Sequence, residues 1–238
     1  MGIIKKWADD IKVKTKDMDR EAKVEYVMNY YWYHILLGTL FMGLLILGIY
    51  HVTWGRKKID FSMVAVNQDI NYERDEKIQE TFAAFAGIPA KNMQVDSDFM
   101  ISYGDVQLEG INESSYEKFF FNWSAGTLDA VIMPESFYEY CKQQRGKFIE
   151  LADLTMGGFL EEMADEAQGD LFLEENGKYT GVYVDQTYIS DDFQKDMRDR
   201  YVLVFPETVK HKKAAGKFLE YALQGKERYC FCNSSSRI

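Results

Sequence analysis

Between Ile35 and Tyr50 the chain reads ILLGTLFMGLLILGIY, without one charged side chain. Widened to Tyr33–Val52, the run has the roughly 20 residues that a helix needs to cross a hydrocarbon core. Tyr30, Tyr31, Trp32 and Tyr33 stand at one end, Tyr50 and Trp54 at the other. Amphipathic rings settle at headgroup level, so a belt at both ends fits a spanning helix better than a buried core helix. A cleaved signal peptide fits less well, because mixed charge precedes the run and no small-residue cleavage pattern follows it. Gly38, Gly43 and Gly48 lie five apart and do not form a G-x-x-x-G dimer face. The lipid bilayer is therefore the first expected partner, through residues 33–52.

The span divides the charge. Residues 1–58 hold ten Lys/Arg against six Asp/Glu, a net +4. The remaining eighteen basic and thirty-two acidic residues give −14. An acidic body without clustered Lys and Arg argues against nucleic acid as a partner. Seven Lys/Arg precede the span, which favours an inside N-terminus, although Lys16, Arg20 and Lys23 are matched by Arg56, Lys57 and Lys58 close to its ends. The expected organisation is an amphipathic cytoplasmic tail (1–29), a transmembrane helix (30–54), a linker (55–60), an α/β domain (61–225) lying outside the membrane and a C-terminal tail (226–238). In the tail, Ile4, Trp7, Ala8 and Ile11 follow the i, i+3, i+4, i+7 spacing of one helical face.

After the span, apolar runs and helical periods alternate. IDFSMVAVNQD (59–69) reads as a buried strand, and 73–87 as a helix stopped by Gly87. Residues 93–103 alternate with a period of two, as a strand does. Residues 113–126 read as a helix capped at Ser114 and closed by Gly126, LDAVIMP (128–134) as a strand and 136–146 as a helix. Helical spacing returns at 155–169, extended character at 177–189, a strand at 200–207 and a last amphipathic helix at 211–225. This order predicts an α/β domain with a mostly parallel sheet.

Catalytic chemistry is not expected. His34 and His51 lie at the ends of the span and His211 among lysines. No zinc-type Cys/His spacing, G-x-S-x-G, P-loop or dinucleotide fingerprint occurs, and no cofactor or metal is expected. Glu161, Glu162, Asp165 and Glu166 fit a solvated helix face rather than the paired carboxylates of a hydrolase. Cys230 and Cys232 form a C-x-C that could bridge only with strain. Asn112, Asn122 and Asn233 match N-x-[ST], a motif too short to carry a reading. The interleaved aromatics and acids of TYISDDFQ (187–194) fit core packing better than sugar stacking.

One stretch carries a resemblance. EKFFFNWSAGTLDAVIMPESFYEY, followed by GKFIELADL, resembles the first lobe of bacterial extracellular solute-binding proteins of ABC transporters, which have the type 2 periplasmic-binding fold. The matching places are Ala125–Gly126, Asp129, Ala130–Met133, Ser136–Tyr140 and Lys147–Leu151. YVLVFPETVKHKKAAGKFLEYAL is similar to that family's returning strand and last helix. The resemblance implies a single lobe, since a full binding protein has two and is much longer. It also implies a membrane anchor in place of the family's usual lipidated cysteine.

Open α/β sheets bind ligands beyond the carboxyl ends of their strands. Asn67, Gln68, Glu135 and Ser136 are thus the candidate ligand-binding residues, with ordinary turn roles as the alternative. The expected function is a non-catalytic, membrane-anchored extracytoplasmic protein with a solute-binding-like domain, serving a transporter or envelope assembly. Its expected partners are a membrane protein and a small solute. The alternative is a structural or regulatory membrane protein that binds only protein partners.

Overall fold

The structure, a computed structural model, describes residues 9, 12–53, 58–108, 114–155, 158–166, 170–195 and 198–224. The apolar face of the N-terminal tail, Trp54, Asn112, Asn233 and the Cys230–Cys232 pair lie outside them. The chain divides into two compact units, residues 1–57 and 58–238.

The first unit is dominated by helix α1, Arg20–Thr53. The Asp19 carboxylate accepts the Ala22 N–H at 2.8 Å and so satisfies one of the amides that the first turn leaves free. Trp32–His51 is long and apolar enough to cross a membrane, with 20 residues at a mean hydropathy of 1.9. Leu36, Leu37, Leu45 and Ile46, which helical geometry spreads around the whole circumference, are all exposed. A helix that is apolar on every side belongs in a core or a bilayer.

The second unit is an α/β domain. Its elements are β1 (Phe61–Val66), α2 (Tyr72–Ala86), β2 (Met93–Phe99), α3 (Ser114–Ser124), β3 (Ala130–Pro134) and α4 (Glu135–Gln143). They continue with α5 (Phe159–Glu166), β4 (Phe172–Glu175), β5 (Lys178–Tyr183), β6 (Tyr201–Val204) and α6 (Lys212–Gln224). The six strands form one sheet in the order β2-β1-β3-β6-β5-β4. All residues of β1 and β3 are buried, as expected of central strands covered on both faces. On one face Phe61, Phe82 of α2 and Phe218 of α6 meet with ring centroids 4.8–5.0 Å apart. On the other, Phe119 of α3 packs against Phe99 and Phe137. Each such ring removes on the order of 2–3 kcal/mol of apolar surface from water.

The sheet is mixed rather than mostly parallel. β1 pairs in parallel with β2 and β3, whereas β3–β6, β6–β5 and β5–β4 are antiparallel. Two local causes account for this. Asn176 and Gly177 both take positive φ (53° and 77°), the geometry of a two-residue hairpin turn, so β4 and β5 fold back on each other. Among the described residues of 184–200 the regular structure is limited to short 3-10 turns, Val184–Gln186 and Ser190–Asp192. Among those residues no helix carries the chain back across the sheet, and β6 runs against β5 from the end where β5 stops. The expected extended segment 177–189 therefore ends at Tyr183. The helices match their expected positions to within a few residues, with Ser114 as the first helical residue rather than the cap.

Gly216 sets how closely α6 approaches the 3-10 turn Leu151–Asp153, because a Cβ there would run into the Leu154 carbonyl oxygen. Helix propensity alone would make Gly216→Ala stabilising by about 1 kcal/mol. Close packing predicts the opposite sign, a loss of about 1–3 kcal/mol in urea denaturation.

Candidate functional site

The carboxyl ends of β1, β3 and β5 share one end of the sheet, and the four sequence candidates lie there. Asn67 follows β1 with φ 53°, a left-handed conformation that Asn tolerates. Its side-chain amide donates to the Ile101 carbonyl at 2.9 Å and accepts the Ile101 N–H at 2.7 Å, extending the β1–β2 pairing by one step. Gln68 is buried and treats Gln194 in the same way: it accepts the Gln194 N–H at 2.9 Å and donates to its carbonyl at 3.3 Å.

Ser136 donates its backbone N–H to Asp199 at 2.9 Å and its hydroxyl to the other oxygen of the same carboxylate. With that proton committed, the Tyr103 hydroxyl is the donor in its 2.6 Å bond to Ser136 Oγ. Glu135 accepts from the Tyr183 hydroxyl at 3.1 Å. Burial, reinforced by the Glu135 charge, pushes the Tyr183 phenol up to about 12. All four candidates thus spend polar groups on neighbouring segments, and three of them hold the β5–β6 crossover or its flanks against the sheet.

That crossover encloses a pocket of about 290 Å³. Asp170, Asp185, Lys195 and Arg200 line it together with Phe193 and Tyr201, and none of the four sequence candidates does. Arg200 grips both oxygens of Asp185, from Nε at 3.2 Å and Nη2 at 2.8 Å. Its guanidinium lies 3.6 Å from the centroid of the Tyr183 ring, a cation–π stack that fixes the plane of the fork. Beside the pocket a second guanidinium, Arg74, lies over Phe193 and is paired with Asp69 and Asp75. Asp75 in turn accepts from the Ser97 N–H and hydroxyl, so the charges are buried with partners rather than alone. Phe193 of TYISDDFQ is accordingly buried, whereas Tyr188 is 43% exposed. Such a lining presents both signs of charge and a flat apolar wall to a small polar solute.

The opposite end of the sheet holds a different arrangement. Asp129, 1% exposed, opens β3 and accepts the backbone N–H of Ser62 at 2.9 Å and that of His211 at 3.1 Å. The His211 ring bonds the same carboxylate through Nδ1 at 2.9 Å. A second cavity of about 450 Å³ adjoins this pair, with Ser62, Gln94, Asn122 and Thr127 around an apolar floor of Val64 and Phe99. His211 is turned on Asp129, and His34 and His51 belong to α1. Cys141 is a free, buried thiol whose acidity is pushed down, its pKa driven up, by desolvation. Among the described residues no group of three His, Cys, Asp or Glu side chains is placed to hold a metal ion.

The pocket residues escape a motif search because Asp185 and Arg200 are unremarkable until the crossover brings them together. The available signal was the pair of polar residues just beyond β5 and just before β6. No family model matches the chain, and neither the curated proteins nor the solved structures contain a match to it.

Asp129→Asn would turn a triple acceptor into a group with its own N–H donors facing Ser62 and His211. Urea denaturation is expected to show a loss of about 2–3 kcal/mol, the cost of leaving buried donors unmatched. His211→Ala should cost less, because that ring is 38% exposed and water replaces its bond.

Proposed function

We propose that this chain is a single-pass membrane protein carrying a non-catalytic, solute-binding-like domain on the extracytoplasmic side, where it serves a transporter or envelope assembly. The observation that carries this reading is the charged pocket beyond the carboxyl end of β5, at the sheet end where β1 and β3 also finish. Open α/β sheets bind ligands at that place. The reversed strand β6 also supports it. In the resemblance to one lobe of a type 2 periplasmic-binding protein, the matching segment is a strand that returns from elsewhere, and here it runs against β3. The anchor follows from the length and composition of α1. The seven Lys/Arg that precede the span support an inside N-terminus.

In this reading Arg200 and Lys195 meet the anionic groups of a solute, Asp170 and Asp185 its cationic or hydroxyl groups, and Phe193 its apolar face. Gln68, Glu135 and Ser136 act one step removed, by holding the crossover that forms the pocket or its flanks, and Asn67 by fixing the end of β1 against Ile101.

The second reading, a regulatory membrane protein with protein partners only, is favoured by one observation. Ile70 and Tyr72, in and just after the loop beyond β1, are 47% and 73% exposed, more than a solute site needs.

A ligand-dependent melting curve of the full chain separates the two. Against a panel of sugars, short peptides, polyamines and small zwitterions, at least one compound should raise the melting temperature with concentration. At a hundredfold excess over Kd the gain is about 2.7 kcal/mol. Arg200→Ala should abolish that gain. A panel with no shift at any concentration would favour the protein-partner reading.

A further inference from the structure

The cavity of about 450 Å³ at the amino end of the sheet is lined by polar groups that the fold itself does not use. Ser62 on β1 is the clearest of them. It is only 7% exposed, and its backbone N–H is already given to Asp129. Its hydroxyl has no hydrogen-bond partner among the described residues. Side chains alternate along a strand, so Ser62 leaves the sheet on the same face as Val64, which also lines the cavity. Gln94, its register partner on β2, leaves on that face too. The amides of Gln94 and of Asn122 on α3 likewise make no hydrogen bond among the described residues. A polar group as buried as Ser62 is ordinarily bonded, so its hydroxyl marks a place for a ligand oxygen.

The charges beside it give the sign of that ligand. The His211 ring donates its Nδ1–H to Asp129 at 2.9 Å, which fixes the ring and leaves Nε2 for the cavity. Asp129 is fully engaged by Ser62 and by the backbone and ring of His211. Asp60, close to His211, is paired with Lys58 at 2.9 Å and with the Asn92 amide at 2.8 Å. Among the described residues no carboxylate lines the cavity, whereas Lys210 does. Lys210 gives one proton to the Ala125 carbonyl at 2.5 Å and keeps two. The floor of Val64, Phe99 and Leu128 is apolar. We propose that this cavity binds a small monocarboxylate, with its carboxylate among Ser62, His211 and Lys210 and its apolar tail on that floor. Two carboxylates flanking one imidazole favour its doubly protonated form, in which both ring nitrogens donate. The site is at the opposite end of the sheet from the Arg200 pocket and does not depend on it.

The test is calorimetric titration of the full chain in nanodiscs with benzoate and with butyrate. Benzamide and butyramide serve as their uncharged matches. Both carboxylates should bind, and each amide should bind on the order of tenfold more weakly. Ser62→Ala should weaken benzoate binding by a similar factor, as the loss of one hydrogen bond to a charged group does. Ser62→Val puts methyl groups into the cavity and should abolish binding without lowering the melting temperature. Benzamide binding as tightly as benzoate, or no carboxylate binding at all, would overturn the proposal. So would unaltered benzoate binding in both Ser62 variants. Binding lost in Arg200→Ala but kept in Ser62→Val would place the anion in the carboxyl-end pocket and overturn it equally.

Discussion

One buried carboxylate joins the parts of this domain that are farthest apart in sequence. Asp129 accepts from Ser62 at the start of β1 and from both the backbone and the ring of His211 at the start of α6, while its own N–H bonds the Ser62 carbonyl at 2.8 Å. The first strand, the third strand and the last helix are thereby registered at a single point. An unpaired charge there would cost several kcal/mol, so the arrangement holds only when all three segments are in place. Gly126 helps to make it possible. With φ 62°, and with the Thr208 carbonyl 2.5 Å from where a Cβ would stand, the α3–β3 turn comes closer to the α6 approach than any larger residue allows.

With the amino end fixed in this way, the carboxyl end is left for variation. There the β5–β6 crossover is held by the paired bonds of Gln68 to Gln194 and of Ser136 to Asp199, while Asn67 in the same way ties the end of β1 to Ile101 beyond β2. The pocket exists because this crossover is clamped at its edges and stays open between Asp185 and Lys195. Arg200 stacks on Tyr183 and pairs with Asp185, which presents a preorganised fork at one wall. Binding sites gain from such rigidity because less order has to be imposed when a ligand arrives.

Much of this fold was legible in the chain, for physical reasons that also explain what was not. β1, β3, α2 and α6 announce themselves by period and by stop signals such as Gly87, which caps α2 in the left-handed conformation its sequence position suggested. Strand direction is not written in periodicity, and the alternation of strands and helices suggested a mostly parallel sheet. The Asn176–Gly177 pair between two apolar runs was the overlooked signal, since it is a strong short-range mark of a hairpin. Asn67, Gln68, Glu135 and Ser136, chosen from the sequence, lie at the same end of the sheet as the pocket but do not line it. The pocket lining was not legible, because Asp185 and Arg200 lie 15 residues apart and meet only through tertiary structure. His211 and Asp129, 82 residues apart, escaped for the same reason.

The proposed role depends on which side of the membrane the domain occupies. A C-terminal fusion of the full chain to a phosphatase that folds only after export reads this directly. A parallel fusion to a fluorescent protein that matures only inside the cell provides the converse. The account predicts phosphatase activity without fluorescence. Fluorescence without phosphatase activity would place the domain in the cytoplasm and contradict the extracytoplasmic binding role.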